Sequence, residues 1–338
     1  MTKRSKPASW YPLPNHRHDS RLRGCFTGLN RFRKRIEGIV AADEATHVPW
    51  LLGLLLNLFS QIYALATNLR AFFYVAGLFK PRKLPCTVIS IGNITAGGTG
   101  KTPMTIYLAQ LLQRLGYLPV VISRGYGGSK ERTGGVLSDR HRIHMDVQAA
   151  GDEPYMMALK LHGIPVLVGK NRFRLGKLAI QKFDAQIVIL DDAFQHIELE
   201  RDLNILLLDA TRPFGNGYLL PRGLLREPLR QIRRADAFLF TRSESGSPAP
   251  GPCVTDRLKG ERVVFQCRRV PELVTRIPAH RLLEKDLGCA GDQARPSILK
   301  KQKVFAFSGI ANNQGFKHML ESLECRLTGF LAFSDHYP

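Results

Sequence analysis

The sequence predicts an α/β fold, a largely parallel sheet with flanking helices, and three observations carry that expectation. The first is a β-branched run, Thr87 to Ile91 (TVISI), that turns at Gly92-Asn93. It leads through TAGGTGKT into Met104, Leu108, Leu111, Leu112 and Leu115 at helical spacing, with Gly116 as the stop. The second is Gln186 to Leu190 (QIVIL), a buried-strand pattern closed by Asp191-Asp192. The third is the recurrence of apolar runs at Leu118 to Ile122, Pro165 to Val168, Leu203 to Leu208, Ala237 to Phe240 and Val304 to Phe307, with helical segments between several of them. That alternation makes parallel sheets with sites at the carboxyl ends of the strands. With 338 residues, 44% of them apolar, the chain can bury one large core or two modest ones.

In chain order, the first element is a basic tail, residues 1–47. Up to Glu37 it holds Lys3, Arg4, Lys6, Arg17, Arg21, Arg23, Arg31, Arg33, Lys34 and Arg35 against Asp19 and Glu37. The whole chain carries a net charge of +21, a potential that suits nucleic acid, anionic lipid or a phosphorylated substrate without choosing among them. The six cysteines are scattered without a CxxC pair, which points to reduced thiols in a cytosolic setting and excludes a disulfide scaffold or structural zinc site.

The next element, within residues 48–80, is an uncharged run from Val48 to Leu69. Asn57, Ser60, Gln61, Ala64, Thr67 and Asn68 form a polar and small stripe at helical spacing, opposite Leu, Phe, Ile and Tyr. It starts too far into the chain for a cleaved signal peptide. A single complete span would separate the basic tail from a nucleotide-using domain, and both belong in the cytoplasm. A helix lying in the inner leaflet satisfies both, and a helix docked on the catalytic domain is the plain alternative.

The nucleotide site is the stretch Thr95, Ala96, Gly97, Gly98, Thr99, Gly100, Lys101 and Thr102. In such a loop the backbone N–H groups and the helix N-terminus surround phosphates, Lys101 reaches the β and γ oxygens, and the Thr102 hydroxyl binds magnesium. Thr95 stands where the usual pattern has its first glycine. Asp191-Asp192 at a strand end then supplies the carboxylates that such a loop requires opposite its threonine. Ser123-Arg124-Gly125-Tyr126-Gly127-Gly128 follows another strand and is expected to face the same loop. Gly151-Asp152-Glu153-Pro154 reads either as a helix cap, with Asp as the capping residue and Pro in the first turn, or as a general base beside a magnesium partner. Arg212, Arg222, Arg226, Arg230, Arg233 and Arg234 read as a phosphate-headgroup site or as a solvated helix face. His336, beside Asp335 in FSDHYP, is a candidate for an oriented imidazole.

Together these residues resemble the tetraacyldisaccharide 4′-kinases of lipid A synthesis. The resemblance rests on VISIGNITAGGTGKTP, SRGYGG, GDEP, VGKNR, LDDAFQH, LNILLLDATRPFGNGYLLPRGLLREP, FSGIANNQGF and FSDHYP, in that order from Val88 onward. The Thr95 departure agrees with that family, which commonly lacks the first glycine.

The resemblance implies phosphoryl transfer from ATP, with Mg2+, to the 4′-hydroxyl of a tetraacylated disaccharide 1-phosphate. It implies a P-loop core over 81–245, a smaller α/β domain over 246–338 and association with the cytoplasmic face of the bacterial inner membrane. The implied partners are the lipid disaccharide and the membrane surface, not nucleic acid. Residue by residue, it implies Lys101 and Thr102 on phosphate and magnesium, and Asp152 as the base tuned by His336. Glu153, Asp191 and Asp192 would surround magnesium, and Asn93, Arg124 and Tyr126 would lie toward the disaccharide. Gln195 and His196 share the family motif without an assigned role.

Two departures set further expectations. Ala193 stands where the family usually has glycine, so the turn there is expected to differ. The sequence stops at Pro338, where family members usually continue, so the second domain is expected to be incomplete. Two other classes share parts of the pattern. A P-loop nucleotide switch would use the same loop, but no Asn-Lys-x-Asp guanine motif is present. A basic membrane- or nucleic-acid-binding protein without catalysis would account for the charge alone.

Overall fold

A computed structural model describes residues 49–241, 262–267, 274–276, 292–310 and 313–333. The basic tail and His336 lie outside the described residues.

The long helix α1 (Trp50–Val75) comes first. Thereafter strands and helices alternate: β1 (Thr87–Asn93), α2 (Lys101–Arg114), β2 (Pro119–Ser123), β3 (Gly135–Ser138), α3 (Val147–Ala150), α4 (Asp152–Lys160), β4 (Val166–Val168), α5 (Arg172–Phe183), β5 (Ile187–Asp191), β6 (Leu203–Asp209), β7 (Ala237–Thr241) and β8 (Val263–Gln266). The eight strands form one sheet in the order β3-β4-β2-β5-β1-β6-β7-β8. Every pairing is parallel except β3 with β4. Each predicted core strand is present, within one or two residues of its expected ends.

The strands read as continuous apolar runs because both faces of the sheet are covered. On one face Ile89, Ile91, Val121, Val166 and Ile189 pack against Ala109 of α2 and Met157 of α4. On the other, Val88, Val120, Ile122, Val188 and Leu190 meet Leu175, Ala179 and Phe183 of α5. A third cluster under β6 and β7 joins Leu206, Leu208, Phe238 and Phe240 to Phe194 and Leu225. Because the register is parallel, the carboxyl ends of β1, β2, β4, β5 and β6 share one edge of the sheet.

One strand crosses the expected domain boundary. The core sheet takes its eighth strand from Val263–Gln266, which the sequence assigned to the smaller domain. Beyond it lie β9 (Val274–Arg276) paired with β10 (Asp292–Ala294), and β11 (Lys303–Ser308) paired in parallel with β12 (Arg326–Ala332) across α6 (Asn313–Ser322).

Helix α1 docks on the protein along one side and leaves an apolar side exposed. Leu56 and Ser60 are buried against the protein, whereas Leu54, Leu58, Phe59, Ile62, Leu65 and Phe72 are exposed. Asn57 and Thr67 of the polar stripe are half-buried, but Gln61 is exposed among the apolar side chains and Tyr63 turns inward. Tyr63 does so because its hydroxyl has a backbone acceptor there, the carbonyl of Arg226 at 2.8 Å. Among the described residues α1 alone is long and apolar enough to cross a membrane.

Candidate active site

The phosphate loop leaves β1 at Asn93 and enters α2 at Lys101. Gly97 (φ 114°) and Gly100 (φ 88°) occupy backbone regions that a side chain disfavours, which is why glycine recurs there. Thr95 has no such requirement. It is buried in a short antiparallel bridge with Leu225, an extended geometry in which a β-branched residue is at home. Asn93, expected to lie toward the disaccharide, is fully buried and donates to the carbonyls of Thr95 (2.6 Å) and Gly97 (3.4 Å). Its side chain therefore braces the loop from beneath. Asn93 Oδ1 and Thr99 Oγ1 are buried without a hydrogen-bond partner.

Opposite the loop, β5 delivers the two aspartates in different states. Asp191 is buried and accepts from Thr105 Oγ1 (3.0 Å) and Ser123 Oγ (3.2 Å). Burial, then the negative charges of Asp192 and Glu153, push its pKa up to about 6. For Asp192 burial acts in the same sense, but Lys101 and Arg226 outweigh it and hold the carboxyl below the usual range. Lys101 Nζ lies 3.8 Å from Asp192 Oδ1, and Arg226 Nη1 lies 3.0 Å from each carboxylate oxygen. Asp192, at φ 47°, takes up the left-handed turn after β5. Ala193 is outside that region and fully buried, so alanine replaces the expected glycine without strain.

The SRGYGG loop and the GDEP turn are packed backbone to backbone. A Cβ on Gly128 would come 2.5 Å from the Ala149 carbonyl oxygen, and one on Gly151 (φ 88°) 2.8 Å from that of Tyr126. Ser129 N and Lys130 N donate to the carbonyls of Gln148 and Ala149, both at 3.0 Å. This junction fixes the start of α4. Gly151 is the N-cap and makes no side-chain cap bond, so the capping role expected of Asp152 is not the one it plays. Asp152 and Glu153 are in the first turn of α4, and Pro154 fits that turn as predicted. Arg124 pairs with Glu131 at 2.6 Å, and Tyr126 is exposed.

Several residues were invisible as site members in the sequence. Thr105 and Ser123 hold Asp191. Arg172, in VGKNR, is buried among the charges of Arg124, Asp191, Asp192 and Glu131, with its Nη1 on the Gly169 carbonyl at 3.0 Å and its Nε unpartnered. The arginine string does not lie on one helix face, since only Leu229–Arg234 is helical. Arg222 binds Asn57 (2.9 Å) and stacks on Tyr218, Arg226 binds Asp192, and Arg234 pairs with buried Glu227. His196 is pushed down to about 4 by burial and then by Arg172 and Arg201, so it stays neutral at pH 7.

Hard oxygen donors at the ends of β5 and the loop suit magnesium, which favours one or two carboxylates with phosphate oxygens and water. Beyond burial, the charges of Asp192 and Glu153 that help raise Asp191 are a negative excess that a cation would relieve. Among the described residues no cage of three carboxylates exists, since Asp191 is held by hydroxyls and Asp192 by Arg226. The fit is thus to a site completed by a nucleotide.

Residues 52–338 match the model of the family described as Tetraacyldisaccharide-1-P 4'-kinase. The chain belongs to that family. It is 42% identical over 312 residues to a tetraacyldisaccharide 4'-kinase of Desulfatibacillum aliphaticivorans, covering 91% of this chain and 81% of the relative. Against the enzyme of that name from Syntrophus aciditrophicus (strain SB) the identity is 44% over 285 residues, 84% of this chain and 75% of the relative. A crystal structure of LpxK from Aquifex aeolicus in complex with ATP superposes with a TM-score of 0.70 at 35% identity, covering 85% of this chain and 83% of that one. The 4′-kinase family thus has the largely parallel α/β core described above, with the glycine-rich loop between β1 and α2 in this member.

Proposed function

We propose that the phosphate loop and Lys101 hold ATP while Asp152 accepts the proton of the 4′-hydroxyl of a tetraacyldisaccharide 1-phosphate, whose oxygen then takes the γ-phosphoryl group. Family membership makes the chain an ATP-dependent kinase of lipid A biosynthesis. The observation that supports these roles is the convergence of Lys101, Asp191 and Asp192 at one strand end, beside the turn that carries Asp152 and Glu153.

Phosphoryl transfer asks the protein mainly for positioning and for charge where charge develops. Loop N–H groups and the α2 N-terminus favour the phosphates, and Lys101 places a cation at the γ-phosphoryl oxygens. Asp152, on the first turn of α4, takes the hydroxyl proton, with His336 orienting it. The bond from the γ-phosphorus to the bridging oxygen breaks, and ADP leaves with that electron pair. Thr102, with one or two of the carboxylates Asp191, Asp192 and Glu153 and the phosphate oxygens, would hold magnesium, which would supply further positive charge to the phosphates. Arg124 and Tyr126 flank the acceptor side.

The exposed apolar face of α1 suits acyl chains and would seat the enzyme on the cytoplasmic face of the inner membrane, where its lipid substrate lies. Purified protein incubated with ATP, Mg2+ and tetraacyldisaccharide 1-phosphate should yield a lipid carrying one added phosphoryl group, read by mass spectrometry. ATP hydrolysis without a phosphorylated lipid would support the nucleotide-switch alternative.

A further inference from the structure

We propose that α1 is a positioning element of the nucleotide site as well as an anchor: through Tyr63 it holds the segment Leu219 to Arg226, and that segment holds Arg226 on Asp192. The inference rests on the kinase reading of the site.

The segment is clamped between α1 and the phosphate loop. On the α1 side, Ser60 Oγ donates to the Leu219 carbonyl (3.1 Å), Arg222 Nη1 to Asn57 Oδ1 (2.9 Å) and Tyr63 Oη to the Arg226 carbonyl (2.8 Å). On the loop side, Ala96 N donates to the Leu224 carbonyl (2.7 Å), Arg226 N donates to the Ile94 carbonyl (2.8 Å), and Leu225 bridges Thr95. Arg226 is thus fastened at three points: its N–H to the loop, its carbonyl to α1, and its guanidinium to both oxygens of Asp192.

The consequence falls on Lys101. Of the cations that act on Asp192, namely Lys101, Arg226 and Arg172, Arg226 is the one that hydrogen-bonds to it, whereas Lys101 Nζ is 3.8 Å away. With Nη1 3.0 Å from both carboxylate oxygens, the guanidinium occupies Asp192 and leaves the Lys101 ammonium, whose contact to the Gly97 carbonyl is long at 3.5 Å, available to phosphate. If Arg226 moved, half-buried Asp192 would draw Lys101 into a direct pair. Phosphate would then have to compete for that cation. Tyr63 acts on this balance through the backbone of Arg226 and touches no reactant.

The test measures ATP affinity by calorimetry on the full chain in detergent, without acceptor lipid, for Tyr63→Phe, Arg226→Gln and the double variant, each with a thermal midpoint. Tyr63→Phe removes one hydroxyl and should weaken ATP binding about 3- to 10-fold, the size of one net hydrogen bond. Arg226→Gln should weaken it at least as much. The double variant should match Arg226→Gln alone, because both changes act through one group. A lowered midpoint for Tyr63→Phe with wild-type ATP affinity would show a purely structural tyrosine and overturn the proposal. Effects that multiply independently would overturn it equally. A wild-type chain that fails to bind ATP would sink the kinase reading and the proposal with it.

Discussion

Two segments flank Asp192, and they are built in opposite ways. The phosphate loop, Thr95 to Thr102, is a backbone device whose Gly97 and Gly100, at φ values that a side chain disfavours, stand within the same eight-residue stretch as Lys101 and Thr102. The segment Leu219 to Arg226 is a side-chain device whose partners lie 34 residues away at Asp192 and 163 away at Tyr63. A local device leaves a signature in a short window of sequence. A long-range one does not.

That contrast explains what the sequence disclosed. The loop, the Asp191-Asp192 strand end and the alternating apolar strands were legible because each is set by short-range stereochemistry or by burial on both sheet faces. Arg222, Arg226, Arg230 and Arg234 recur every fourth residue and so imitate a helix face. Pro221 and Pro228 interrupt any such helix, and only Leu229–Arg234 forms a short helical turn. The bracing role of Asn93 was not legible, because a polar residue after a strand reads as a ligand group, whereas the loop carbonyls it braces appear only in three dimensions. Thr105 and Ser123 gave no signal, since a hydroxyl serving a buried carboxylate looks like any other.

The largest expected effect falls on the local device. Lys101→Ala should lower kcat/KM for ATP by about 10³-fold, the scale of one preorganised charge at the transferred group. Steady-state kinetics over a range of ATP concentrations would show it, and a loss below tenfold would mean that another cation does this work.

Asp191→Asn should separate function from stability. Phosphoryl transfer should fall about 10²-fold, while the nucleotide-free protein becomes more stable. The native carboxyl has a pKa of about 6 against an ordinary 3.8, so the folded state holds a proton that the unfolded chain releases between those values. Stability is therefore lost as pH rises through that window, and the amide avoids the loss. The thermal midpoint of the variant should exceed that of the wild type at pH 8 by several degrees, at roughly 2–4 °C per kcal/mol. The gap should narrow at pH 4. A variant less stable at both pH values would refute the burial account.

The smallest effect is expected at Thr95. Because its extended geometry suits a β-branched side chain, Thr95→Gly should leave turnover within about twofold and cost roughly 0.5–1 kcal/mol of stability through backbone entropy. Tighter ATP binding by the glycine variant would show instead that threonine constrains the loop.

The central claim, that Asp152 takes the hydroxyl proton while a separate set of groups holds ATP, is tested most directly by single-turnover phosphoryl transfer to tetraacyldisaccharide 1-phosphate in Asp152→Asn, with ATP affinity measured on the same protein. The account expects unchanged ATP binding and a transfer rate about 10²- to 10⁴-fold lower. Near wild-type transfer, or a loss traced wholly to weaker ATP binding, would contradict it.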